Sequence, residues 1–245
     1  MPYVNNQGIH IHYQVTGQGP ALVLQHAFSM SLQDWHEFGY VDKLQEEYRL
    51  ILVDARGHGA SDKLHEPEAY TLEKLVSDIN AVLDHLKIEK AHYLGYSMGG
   101  WIGFGMAKYA SNRLDSLIIG GAQPFGWSFE GARQALSHGI DTWMENVVGW
   151  GIYSPEGLSR ERLNDAAALH ALIQDRPDMS DILPDLKMPC LIYAGDADNQ
   201  YKLIRRCAEE LPNASFVSLP DLIHSGVMPR SDLVVPYIKE FTVSF

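Results

Sequence analysis

The sequence predicts an α/β fold: a mostly parallel, doubly wound central sheet flanked by helices, with a helical insertion. Three observations carry this. Short apolar runs recur without alternation, as strands buried on both faces do. Helical spacing fills the intervals between them. One interval, from Gly121 to Pro189, exceeds an ordinary loop and holds no strand pattern.

The elements follow in order. Residues 9–15, IHIHYQV, alternate and read as an antiparallel edge region with one wet face. Residues 21–25 (ALVLQ) and 49–54 (RLILVD) are continuous apolar runs and read as buried strands. Leu72, Leu75, Val76, Ile79, Val82, Leu83 and Leu86 recur at spacings of three and four, which makes an amphipathic helix. A strand over 91–96 (AHYLGY) leads into a helix over 98–110. Residues 116–121 (SLIIGG) and 190–195 (CLIYAG) continue the sheet, a helix spans 201–211, and 214–220 (ASFVSLP) is a weaker last strand. Helical stretches at 132–148 and 158–175 occupy the long interval. The expected division is a core of 1–121 and 188–245, with 122–187 inserted as a helical lid.

A chain of 245 residues fits one domain carrying such an insertion. Its net charge of −12 repels nucleic acid and anionic membrane surfaces, so neither is an expected partner. Cys190 and Cys207 lack metal-ligand spacing and do not make a disulfide scaffold; Cys190 opens an apolar run and should be a buried thiol. The start, MPYVNNQGIHIHY, has no basic or apolar signal region, and no run reaches transmembrane length. A soluble cytoplasmic protein is expected, and nothing in the sequence bears on its oligomeric state.

The sharpest local signal is Gly95-Tyr96-Ser97-Met98-Gly99, a G-x-S-x-G pattern between a strand and a helix. A serine on such a tight turn has its hydroxyl held out at the sheet edge, and small neighbours let the backbones approach. The helix start adds N–H groups and positive dipole for a developing oxyanion. No dinucleotide or Walker-type loop is present, so no cofactor or metal is implied.

With its flanks, this stretch resembles the nucleophile turn of the α/β-hydrolase family, in its small esterase-like form with a helical lid. LQHAFSMSLQDW resembles that family's oxyanion loop, DARGHGASD the loop after the next strand, GDADNQ the acid loop and LPDLIHSGVMP the histidine loop. The resemblance implies a catalytic Ser97, Asp198 and His224, in the family's chain order. It selects Asp198 over Asp196, whose expected role is to support the turn. It implies an oxyanion hole from the backbone N–H groups of Met98 and Phe28. The family usually has glycine where this chain has Ala27. Either the backbone angles there are ordinary, or the loop is arranged differently. His26 and His58 are expected to organise their own loops, whereas His10 and His12 share a strand face with nothing ligand-like beside them.

Aromatic residues suggest an apolar pocket under the lid. Trp101 follows the nucleophile turn, Phe125, Trp127 and Phe129 open the insertion, and Trp143, Trp150 and Tyr153 lie within it. Trp101, Phe125, Trp127 and Trp143 are the expected substrate-binding set. Serine rather than aspartate at the turn excludes epoxide hydrolase and haloalkane dehalogenase chemistry and favours a covalent serine ester. The expected function is a serine carboxylesterase acting on small carboxylic esters, lactones among them. Two alternatives stay open. One is a lyase resembling the family's menaquinone-pathway synthase, for which Arg133, Arg160 and Arg162 would supply charge. The other is a ligand sensor on a hydrolase scaffold.

Overall fold

The computed structural model describes residues 2–243. Its eight strands are β1 Tyr3–Asn6, β2 Ile9–Thr16, β3 Ala21–Gln25, β4 Arg49–Val53, β5 Ala91–Tyr96, β6 Leu114–Gly120, β7 Cys190–Gly195 and β8 Ala214–Leu219. They form one sheet in the order β1-β2-β4-β3-β5-β6-β7-β8. β2 pairs antiparallel with β1 and β4, and the pairs from β4 to β8 are parallel. The chain winds outward from β3 to β4, then restarts on the other side at β5. The carboxyl ends of β3 and β5 therefore flank a topological switch point, where open sheets of this kind bind ligands.

The helices are α1 Leu32–Glu37, α2 Tyr40–Leu44, α3 Leu72–His85, α4 Met98–Tyr109, α5 Glu130–Ser137, α6 Ile140–Trp150, α7 Pro155–Glu161, α8 Ala166–Leu172, α9 Tyr201–Glu210, α10 His224–Val227 and α11 Ser231–Val243. The apolar runs in the strands are continuous because both faces are covered. Leu22, Leu24, Leu50 and Leu52 pack with α1, α2 and α11, while Val23, Ile51 and Val53 point the other way, into the core shared with α3, α4 and α9. Side chains alternating across a pleat require this division.

Three departures from the sequence expectation have local causes. β2 is not an edge strand, since β1 covers it. His12 is buried and bonds Asp54 Oδ2 through Nδ1 at 2.7 Å, and His10 Nδ1 lies 3.1 Å from Asp62 Oδ2. The loop after β4 folds back over β2 and brings both carboxylates. The long β6–β7 connection holds four helices rather than two: Gly139, at φ 97°, separates α5 from α6, and the Asp165 side chain caps α8 by accepting from the Ala168 N–H at 3.0 Å. Leu136, Trp143, Met144, Val147, Leu169 and Ile173 give this connection an apolar core of its own. Cys190 and Cys207 are both free and buried, and burial pushes the Cys190 thiol up to about 12. Among the described residues no helix is long and apolar enough to cross a membrane.

Candidate active site

Ser97 joins β5 to α4 with φ 52° and ψ −106°, a conformation that costs a non-glycine residue energy. Packing enforces it. The Ser97 N–H donates to Gly120 O at 2.8 Å. A Cβ on Gly95 would lie 2.3 Å from Gly99 O, and one on Gly99 would lie 2.0 Å from Gln25 O. The glycine spacing is thus a steric requirement of laying α4 directly against β3 and β5.

His224, the first residue of α10, reaches Ser97 from the last loop. Its Nε2 lies 2.9 Å from Ser97 Oγ, and its Nδ1 lies 2.6 Å from Asp198 Oδ2. Asp198 is buried, and its other oxygen accepts from the Gln200 N–H at 2.8 Å. An acid on Nδ1 makes that nitrogen the donor and leaves the Nε2 lone pair facing the serine hydroxyl. Tyr96 Oη donates to His224 O at 2.5 Å and holds the loop in place. Asp196 is exposed and takes no part in this chain of bonds. Its Oδ1 accepts from the N–H of Asp221, a residue held at φ 59°.

The backbone N–H groups of Phe28 and Met98 have no acceptor among the described residues. The loop carrying Phe28 is held by two buried histidines. His26 Nε2 accepts from the Ala55 N–H at 3.0 Å while Nδ1 donates to Ala27 O at 2.8 Å. His58 Nε2 accepts from the Ser29 N–H at 3.1 Å, so His58 supports this loop as well as its own. Accepting through Nε2 requires the neutral ring. Burial lowers both pKa values, His58 to about 3. Ala27 is not among the residues at positive φ; the left-handed residue here is Ser29, at φ 62°. Ala27 therefore needs no left-handed φ, which is why alanine can stand where glycine is usual.

A cavity of about 440 Å³ opens over Ser97 and His224. Phe28, Phe129, Trp143, Trp150, Ile173 and Met228 supply apolar walls. Phe28 and Trp143 meet edge to face at 5.4 Å. Of the four expected pocket aromatics, Trp143 lines this cavity and three lie elsewhere. Trp101 sits one turn along α4 from Ser97 and faces a separate cavity. Phe125 is buried beneath the Arg206 guanidinium, 4.4 Å from its ring centroid. Trp127 exchanges backbone hydrogen bonds with Arg176 at 3.0 and 2.9 Å. Nearness in the chain does not translate into nearness to the site, because a helix or a bridge turns these side chains away.

The three arginines singled out from the sequence are engaged in ion pairs, and none lines the cavity. Arg133 bonds Asp175 at 2.6 Å, Arg162 bonds Asp141 at 2.6 Å, and Arg160 bonds Asp34 at 2.9 Å and Glu37 at 2.6 Å. Arg176, Asn199 and Ser225 do line it, and no spacing pattern marked them. Among the described residues no cluster of His, Cys, Asp and Glu has a metal-binding arrangement.

Comparison with known proteins adds to this geometry. The family description "alpha/beta hydrolase fold" matches residues 20–185. The chain is 29% identical to 3-oxoadipate enol-lactonase 1 of Acinetobacter baylyi over 214 residues, covering 79% of this chain and 78% of that protein. It is 32% identical to the putative 2-succinyl-6-hydroxy-2,4-cyclohexadiene-1-carboxylate synthase of Bacillus subtilis, covering 96% of each. Its structure is similar to that of the enol-lactonase from Burkholderia xenovorans LB400, with a TM-score of 0.87 and 25% identity, over 99% of this chain and 100% of that one.

Proposed function

The chain belongs to the α/β-hydrolase fold family, and from that premise we propose that it is a serine hydrolase cleaving small carboxylic esters, lactones included, with Ser97, His224 and Asp198 as its catalytic residues. The observation that carries the reading is the unbroken bond chain from Asp198 through His224 to Ser97 Oγ, beneath an apolar cavity.

The chemistry follows from those positions. His224 Nε2 takes the Ser97 proton as Oγ attacks the ester carbonyl. The negative charge on the carbonyl oxygen is met by the N–H groups of Phe28 and Met98; losing one such donor costs about 10²–10³ in rate. The His224 imidazolium, stabilised by Asp198, returns the proton to the departing alcohol, leaving an acyl ester on Ser97. Water then repeats the sequence and releases the acid. The helices between β6 and β7 act as a lid whose aromatic side chains form the acyl pocket.

A second reading, the lyase, is favoured by the similarity to the Bacillus subtilis synthase along nearly the full length of both proteins. The arginines first suggested for it are engaged elsewhere.

A panel of p-nitrophenyl esters with a serine-directed phosphonate separates the hydrolase from the ligand sensor and tests the nucleophile. The hydrolase turns over short acyl esters, forms a covalent adduct at Ser97, and loses both with Ser97→Ala while remaining folded. Tight small-ligand binding with no turnover of any ester would replace it with the sensor. An absence of adduct on Ser97 would remove the nucleophile assignment.

A further inference from the structure

Arg176 lies in the loop after α8 and lines both the cavity over Ser97 and the neighbouring one that Trp101 faces. Its guanidinium carbon sits 4.7 Å from the ring centroid of Trp101 and 4.7 Å from that of Phe129. Those contacts hold the group by cation–π attraction but accept none of its in-plane N–H bonds. Among the described residues no carboxylate, carbonyl or hydroxyl bonds the guanidinium. Burial alone, with no acid opposing it, pulls the pKa down to about 9, so the group is still charged at neutral pH. Arg133, Arg160 and Arg162 each have an acid, and among the described residues Arg176 has none.

Among the described residues, Arg176 is also the one Asp, Glu, Lys or Arg side chain on the cavity wall. Arg176 is half-buried, and what exposure it keeps is toward the cavities it lines; holding a charge there without a partner is costly, and a cavity that keeps one is suited to a ligand bringing the opposite charge. We propose that Arg176 anchors a carboxylate carried by the substrate, so that the ester or lactone opened at Ser97 is a monoanion. The inference rests on the serine-hydrolase reading for the bond that is cleaved. The guanidinium fork matches a carboxylate through two parallel N–H···O bonds. One arginine balances one negative charge. A phosphate dianion would leave an unbalanced charge among Phe129, Trp143 and Ile173, which selects the carboxylate. The protein's net charge of −12 does not draw anions, so the selection is local to the cavity.

The test pairs substrates that differ only in a terminal carboxylate. Monoethyl succinate, glutarate and adipate are compared with ethyl butanoate, pentanoate and hexanoate. The wild type should favour the best anionic member over its neutral counterpart by about 10- to 100-fold in kcat/KM. Arg176→Gln should collapse that ratio, mainly through KM of the half-ester, and Arg176→Lys should keep part of it. Reading a ratio cancels any general loss of activity. Calorimetry of Ser97→Ala, which cannot open the ester, with the same monoethyl half-esters gives a second readout: binding is expected, and should vanish when Arg176→Gln is added. Ester turnover with no anionic preference and no half-ester binding to Ser97→Ala overturns the anchor and leaves the hydrolase standing. Half-ester binding that depends on Arg176, with no ester turnover by the wild type, overturns the hydrolase and supports the anchor.

Discussion

Ser29 Oγ donates a 2.9 Å hydrogen bond to Glu161 Oε2, joining the loop after β3 to helix α7. Asn164 Nδ2 adds a bond to Ser29 O at 2.6 Å. The proposed lid and the proposed oxyanion loop are therefore tied through a buried carboxyl. Burial, and next the charge of Asp34, push the Glu161 pKa up to about 9, so the group is held protonated.

This sets a pH dependence with a definite sign. Between its ordinary value of 4.5 and about 9, Glu161 carries a proton in the folded chain and none in the unfolded one. Stability contributed by the protonated group is present below that window and falls as pH rises through it. Glu161→Gln, neutral at every pH, should match the wild type near the lower end and exceed it in Tm by a growing margin toward the upper end. Thermal unfolding across the window is the measurement, and a constant margin would mean that the carboxyl is ionised in the fold.

The two acids of the GDAD turn should separate by function. Asp198→Asn presents an amide to His224 Nδ1, favours the wrong tautomer, and should lower kcat by a factor on the order of 10⁴. Asp196→Asn keeps an oxygen that can accept from the Asp221 N–H and loses only the acceptor's charge, at a cost of about 1 kcal/mol or less in stability with kcat retained. Steady-state kinetics with urea unfolding of both variants reads the contrast.

Gly99→Ala should disrupt the turn itself. Its Cβ would meet Gln25 O, a backbone atom in a central strand that cannot swing aside. A loss of about 3 kcal/mol or more is expected, together with displacement of Ser97. Chemical denaturation and phosphonate titration would register the two effects.

His58→Ala removes the acceptor of the Ser29 N–H beside Phe28. Leaving that buried donor unmet should cost about 1–3 kcal/mol. Because the loop supports a charge that develops in the transition state, kcat should fall more than KM rises. His58 itself is neutral above about pH 3, so the wild-type rate profile should carry no inflection from it.

Much of this was legible in the chain. Leu22 to Leu24 and Leu50 to Leu52 read as strands buried on both faces because local apolar continuity has that meaning. The turn at Ser97 was legible because its glycines are needed within a few residues of the serine. The choice between Asp196 and Asp198 rested on the resemblance alone, since which acid faces His224 depends on how β7 and the last loop are seated. Gly139 and Asp165, which divide the insertion into four helices, are signals that the longer helical pattern obscured.

The chain alone was enough to give the central strands β2 to β8, the helices α3, α4 and α9 between them, the tight turn at Ser97, and the residue types available for acyl transfer. Those depend on contacts between near neighbours in the chain. Folding alone fixed which aromatic side chains wall the cavity, that Glu161 reaches Ser29, and that Arg176, unlike Arg133, Arg160 and Arg162, stands at the cavity with no acid among the described residues. Each of these turns on a partner, or the lack of one, at a distance along the chain. Composition and spacing record which charges exist; folding decides which of them meet.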